Sequence, residues 1–207
     1  MKIRSKITLV FFSFIVVIFV IVTIFFLLFR SSNERYIAYK TKAVEKSFSE
    51  LKNDEIRILS AGLDVFTEDD TFKESFISRN REELYRKSKP LFDKLKNKFG
   101  ISHFYYILPD GHCFLRVHNP GIKGDLITRA TFKKCKKTKQ MTSGLGLGKT
   151  AFALRTVMPY YYKGELIGYV EFAQEIDNLI SSLNSINKST TALVVEKKYL
   201  KREILFQ

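Results

Sequence analysis

Ile101-Ser102-His103-Phe104-Tyr105-Tyr106-Ile107-Leu108, then Pro109-Asp110-Gly111, then His112-Cys113-Phe114-Leu115-Arg116-Val117-His118: two apolar, aromatic runs are divided by a turn. Proline fixes one backbone angle of the turn and glycine takes the left-handed one, so the stretch predicts a β-hairpin. Upstream of it the pattern is helical. Leu84, Ser88, Leu91, Leu95 and Phe99 recur at three- and four-residue intervals, and Gly100 stands where a left-handed cap ends a helix. Pro90 inside that run predicts a kink or break near Lys89. Before it, Thr67-Glu68-Asp69-Asp70-Thr71 supplies N-cap chemistry for a short helix over 72–77. Earlier still, residues 33–66 carry no proline, and Ile37, Val44, Leu51, Ile58 and Val65 repeat every seven, which predicts one long helix with an apolar seam.

Downstream the pattern is mainly of strands. Asn119 to Gly124 reads as a loop, with Asp125 capping a helix over 126–139. Residues 151–162 and 165–174 flank Lys163-Gly164 as a second hairpin, 177–187 reads as a helix, and 190–195 as a last strand. Helices first, then a largely antiparallel sheet with one crossing helix, is an α+β layout.

Ile7 to Phe29 is an uncharged run of 23 residues with only Thr8, Ser13 and Thr23 polar. At about 1.5 Å per residue it spans roughly 34 Å, enough for a hydrocarbon core of about 30 Å. It is too long for a signal peptide's apolar core, and Phe25-Phe26-Leu27-Leu28-Phe29-Arg30 offers no small-residue cleavage site. The run therefore predicts a retained transmembrane helix. Lys2, Arg4 and Lys6 precede it and Arg30, Arg35, Lys40 and Lys42 follow, so charge leans only weakly towards an inside N-terminus.

The formal net charge is +14. Basic chains invite a nucleic-acid reading, but the anchor argues against that partner. Arg129, Lys133, Lys134, Lys136, Lys137 and Lys139 read as the solvated side of a short helix or a contact with anionic lipid. Cys113 and Cys135 could pair, or Cys113 could be a small core residue of its strand. His103, His112 and His118 lack the carboxylate or thiolate company of a zinc site, so no metal or cofactor is expected.

Ser143-Gly144-Leu145-Gly146-Leu147-Gly148-Lys149-Thr150 falls one residue short of a Walker A loop. A phosphate loop must follow a buried strand and open a helix, whereas 138–142 is polar and 152–162 strand-like. The glycines instead predict a bulge or a close approach at a strand. Strand alternation sets Phe114, Arg116 and His118 on one face and Cys113, Leu115 and Val117 on the other. Arg155 and Glu171 interrupt apolar strands in the same manner. Charges are rarely buried there unless paired or liganded, which leaves two readings: an Arg–Glu pair or a solvent-facing sheet surface, as in a ligand-free tether, or a pocket for a small anionic molecule lined by Arg116, His118, Arg155 and tyrosines such as Tyr106. An enzyme lacks support, because Cys113 and its neighbouring histidines point apart.

The hairpin with Asn119-Pro120 and Gly124-Asp125, then Gly144-Leu145-Gly146-Leu147-Gly148, Leu154-Arg155-Thr156-Val157-Met158-Pro159-Tyr160 and Gly164-Glu165-Leu166-Ile167-Gly168-Tyr169-Val170-Glu171-Phe172, resemble the double Cache domain of bacterial sensor kinases and chemoreceptors. The resemblance covers about residues 34–200. It implies a PAS-like antiparallel sheet on a long membrane-emerging helix, a cytoplasmic N-terminus, a bulk outside the cytoplasmic membrane and a small-molecule ligand; a homodimer along the anchor and the long helix is expected beside it. Arg116, His118, Asp125, Arg155 and Glu171 sit on its recurrent polar positions. Ile107, Met158 and Tyr160 depart from the residues usual there. The expected organisation is a cytoplasmic 1–6, a transmembrane 7–29, stalk and sensor helices over 30–100, the sensory sheet over 101–187, and over 188–207 the start of a second module that a fragment or truncated product would cut short.

Overall fold

The computed structural model describes residues 3–148, 151–188 and 190–196. The chain divides into two compact units, residues 1–46 and 47–207. Helix α1, Ile3–Glu68, runs as one helix of 66 residues. In the first unit its apolar stretch is exposed, and by length and composition it could cross a membrane.

In the second unit, α1 is followed by a 3-10 turn, Asp70–Phe72, capped by the Asp69 carboxylate, which accepts the Thr71 amide at 2.8 Å. The short helix α2, Lys73–Ile77, and α3, Arg81–Phe99, come next. Gly100 ends α3 with φ +69, its N–H donating to the Lys96 carbonyl. Pro90 does not break α3: the carbonyl it deprives of a donor belongs to Arg86, whose exposed position leaves it to water.

Five strands follow: β1 His103–Ile107, β2 Cys113–Arg116, β3 Thr142–Leu147, β4 Phe152–Tyr162 and β5 Glu165–Glu175. They form one antiparallel sheet in the order β2-β1-β5-β4-β3. Helix α4, Ala130–Thr138, crosses between β2 and β3, and α5, Ile176–Asn187, follows β5. Lys163 and Gly164 both take positive φ, as a tight hairpin between twisted strands requires.

Each face of the sheet has its own core. On one, Leu59, Leu63 and Phe66 of α1, Phe76 of α2 and Leu84 and Phe92 of α3 pack on Phe104, Tyr106, Leu115, Leu154, Tyr160, Val170 and Phe172. On the other, Phe132 and Cys135 of α4 pack with Tyr105, Ile107, Cys113, Val157 and Tyr169. Both cysteines are free thiols buried in this second core.

Four local expectations are corrected. The seam of α1 that meets the sheet is Leu59, Leu63 and Phe66, while Ile58 and Val65 of the sevenfold repeat face outward. Residues 190–195, expected as a last strand, form none; the glycine stretch itself runs as strand β3, with the close approach falling at Gly148. Lys149 and Thr150 of the Walker-like stretch lie outside the described residues. Asp125 does not cap α4, which begins at Ala130 after Arg129. Finally, Phe114 and Cys113 exchange faces. The register steps from Tyr106↔Leu115 to Ile107↔Cys113, so Phe114 is the extra residue of a bulge. It packs against Phe76 at 5.5 Å.

Candidate functional site

Arg116, Tyr105, Glu171 and Val157 stand in cross-strand register, and His103, Ala173 and Arg155 form the next such row, so all seven share one face of the sheet. His118, just past β2, turns its ring into the same place, 4.5 Å from the ring of His103 and 4.8 Å from that of Tyr105. The α4 core fills only part of this face. Where it stops, a cavity of about 290 Å³ opens, lined among others by His103, Tyr105, Arg116, His118, Asn119 and Arg129. At about 30 Å³ per water it holds roughly ten waters' volume, the scale of a small metabolite.

Two residues of this wall, Arg116 and Arg129, belong to an ion-pair network that runs behind it. Arg116 donates to Asp125 through Nη2 at 2.8 Å, pairs with its other oxygen through Nη1 at 2.7 Å, and donates to the Ile122 carbonyl at 2.8 Å. Glu171, fully buried, accepts from Arg155 Nη1 at 2.9 Å and from Arg129 Nη2 at 2.8 and 2.7 Å. The Tyr105 ring carries the guanidiniums of both Arg116 and Arg129, 5.3 and 4.9 Å from its centroid. Gly148 is what lets Arg155 reach Glu171: a Cβ there would lie 2.5 Å from Arg155 Nη2.

Of the residues singled out from the sequence, Arg116, His118, Asp125, Arg155 and Glu171 come together here. Tyr106 does not. As β1 alternates, its side chain enters the opposite core, where its hydroxyl and that of Ser88 lie 2.7 Å apart. Arg129 and His103 were missed: Arg129 opens the basic run of α4 and reads with its lysines as solvated, although it is an arginine and stands three residues before Phe132.

Burial and the surrounding arginines keep both imidazoles neutral. Desolvation, then His118 and the arginines, lowers the pKa of His103 to about 3; desolvation, then Arg116 and Arg155, lowers that of His118 to about 4. In the unfolded chain both titrate near 6.5. A folded pKa below the unfolded one means that the unfolded state binds more protons as pH falls. Stability is therefore fully present above about pH 6.5 and declines below it, by up to about 1.4 kcal/mol per pH unit for each histidine. The expected result is a Tm that falls between pH 6.5 and 4, and falls less steeply in a His103→Gln, His118→Gln double variant. Equal slopes would contradict this account of the two rings.

The arrangement is a charged cavity. It positions charge and donors on a rigid sheet face, and among the described residues no group of His, Cys, Asp and Glu could hold a metal. Fold and site define a PAS-like sensory domain. Residues 41–204 match the family model described as the double sensory domain of two-component sensor kinases, and the chain belongs to that Cache family. It is similar to the E. coli DcuS sensor domain at 14% identity and a TM-score of 0.51, covering 67% of this chain and 98% of that one. It also resembles the sensor domain of the V. cholerae histidine kinase DctB at 12% identity and a TM-score of 0.53, covering 72% of this chain and 60% of that one. The ligand-binding domain of the Pseudomonas aeruginosa amino-acid chemoreceptor PctC, solved with GABA, matches at 14% identity and a TM-score of 0.49, over 74% of this chain and 69% of that one. Comparison with curated protein sequences finds no match. The chain thus spans nearly all of the DcuS domain and about three fifths of the DctB domain. This is a family of sensor domains, not of enzymes.

Proposed function

We propose that this chain senses a small anionic molecule outside the cytoplasm, as the ligand-binding part of a receptor anchored by the first half of α1 in the cytoplasmic membrane. One observation carries the choice of charge. The pocket wall and the network behind it place four cations, Lys96, Arg116, Arg129 and Arg155, against three carboxylates, Asp125, Glu171 and Glu175, with two neutral imidazoles between. An anion would balance the remaining charge in a place where water screens poorly. Arg116 and His118 face the ligand, while Asp125, Arg155 and Glu171 brace them. The anchor reading rests on the uncharged run over 7–29 and the homodimer on the exposed members of the sevenfold seam, Ile37, Ile58 and Val65; most of the expected second module, residues 197–207, lies outside the described residues. Occupancy shifts such a receptor only by its differential affinity for two states.

The test is thermal unfolding of the detergent-solubilised chain against amino acids, mono- and dicarboxylates and polyamines. A carboxylate at about 100 times its Kd should stabilise by about 2.7 kcal/mol, a Tm rise of several degrees. Arg116→Ala should abolish that rise. Compounds that stabilise Arg116→Ala and the parent chain equally would contradict the assignment.

A further inference from the structure

Glu171 serves two cations at once, and they are not alike. Arg155 is sealed in the sheet with a side chain 1% exposed, wedged against Gly148, and its Nη2 also donates to the Ala151 carbonyl at 3.3 Å. Arg129 lines the cavity, with a side chain 12% exposed. A guanidinium has five N–H donors. Arg129 makes both of its bonds to Glu171 through the single nitrogen Nη2, and its buried Nε, like that of Arg155, has no acceptor; only Arg129, at the cavity, can reach one on a ligand. Two cations on one carboxylate also leave one positive charge over. The Tyr105 ring holds Arg129 beside Arg116, so the two guanidiniums stand together on the wall a ligand would meet.

We propose that Arg129 is a further ligand-binding residue of this pocket, and an exchangeable one. When a carboxylate enters, the Arg129 guanidinium turns from Glu171 to the ligand, while Arg155 stays on Glu171 and keeps that carboxylate neutralised. Glu171 is then an internal competitor that sets how tightly the pocket takes an anion. Arg129 also starts α4: its backbone is extended, at φ −60 and ψ 145, no side chain caps the helix there, and its carbonyl accepts the Lys133 amide at 3.0 Å. Exchange at its side chain therefore acts directly on the first turn of the helix that covers this face. The proposal rests on the anionic-pocket reading above.

The experiment titrates acetate and succinate, replacing chloride at constant ionic strength, into the detergent-solubilised full chain and follows Tm. The parent chain should show a saturable rise. Arg129→Gln should raise the half-maximal concentration at least tenfold. Glu171→Gln, though less stable, should lower it at least threefold, an opposite shift that a merely structural role for either residue would not produce. No rise in the parent chain with either carboxylate overturns the pocket reading and this proposal together. A parent response whose midpoint changes less than twofold in Arg129→Gln overturns the proposal alone, as does an unchanged or raised midpoint in Glu171→Gln. Should Arg129→Gln fail to fold, Arg129→Lys, which keeps the charge but not the planar donor set, replaces it under the same threshold.

Discussion

Glutamine in place of Glu171 is expected to destabilise residues 47–207 by about 3–5 kcal/mol, the range found when one partner of a buried ion pair is removed. The exchange keeps side-chain shape, so no cavity opens and the loss is electrostatic. It has two parts. Arg155 Nη1, donating at 2.9 Å to an oxygen with no exposure, keeps at most a neutral acceptor, and Arg129 loses a carboxylate that it meets at 2.7 and 2.8 Å. Two cations, Arg155 buried and Arg129 at the cavity, are then left without a counter-charge, where before there was one in excess. Urea unfolding followed by circular dichroism would measure this, with added carboxylate recovering part of the loss. A change below about 1 kcal/mol, the size of an exposed pair's contribution, would show that the network is solvated.

Phe66→Ala is expected to cost a similar amount, about 3–5 kcal/mol. Phe66 is the residue through which the last turns of α1 enter the core. It is 4% exposed, and its ring lies 4.9 Å from that of Phe72, 5.2 Å from Phe104, 5.8 Å from Tyr160, 5.9 Å from Phe172 and 6.0 Å from Tyr106. Those five rings come from β1, β4, β5 and the turn after α1, so truncation opens a cavity that no single element can collapse to fill. The control is its neighbour: Val65, 72% exposed, should tolerate alanine within about 0.5 kcal/mol. Equal effects at the two positions would mean that α1 packs through the other seam.

This pair of residues also shows how far the sequence could be read. The sevenfold repeat ending at Val65 was conspicuous because its members are all aliphatic and evenly spaced. Leu59, Leu63 and Phe66 form a shorter run at intervals of four and three, and nothing local separates a seam that meets the sheet from one left facing outward. The two hairpins were legible from their turns, since Pro109-Asp110-Gly111 and Lys163-Gly164 demand backbone angles that few other structures use. Strand β3 was not, because glycine has no side chain with which to show alternation. The bulge at Phe114 was hidden as well: it depends on which residue of β1 lies opposite, a non-local fact.

The site was legible in the same uneven way. Arg116, Arg155 and Glu171 stood out as charges inside apolar strands, and burial of an unpaired charge is costly enough to make that a dependable signal. Asp125 was noticed for a capping role, but its partner is Arg116, 9 residues away across a loop. Arg129 was camouflaged by the lysines that follow it. Its distinction, a guanidinium folded back on Glu171 42 residues later, exists only in three dimensions.

The most direct measurement is an X-ray structure of the chain with the carboxylate that most raises its Tm. The account predicts the ligand in the cavity between β1, β2 and the start of α4, its carboxylate within about 3.2 Å of a guanidinium nitrogen of Arg116. A carboxylate bound instead in the groove between α1 and α3 lined by Ile58, Val65, Leu91 and Leu95, with the arginine pocket unoccupied, would contradict it.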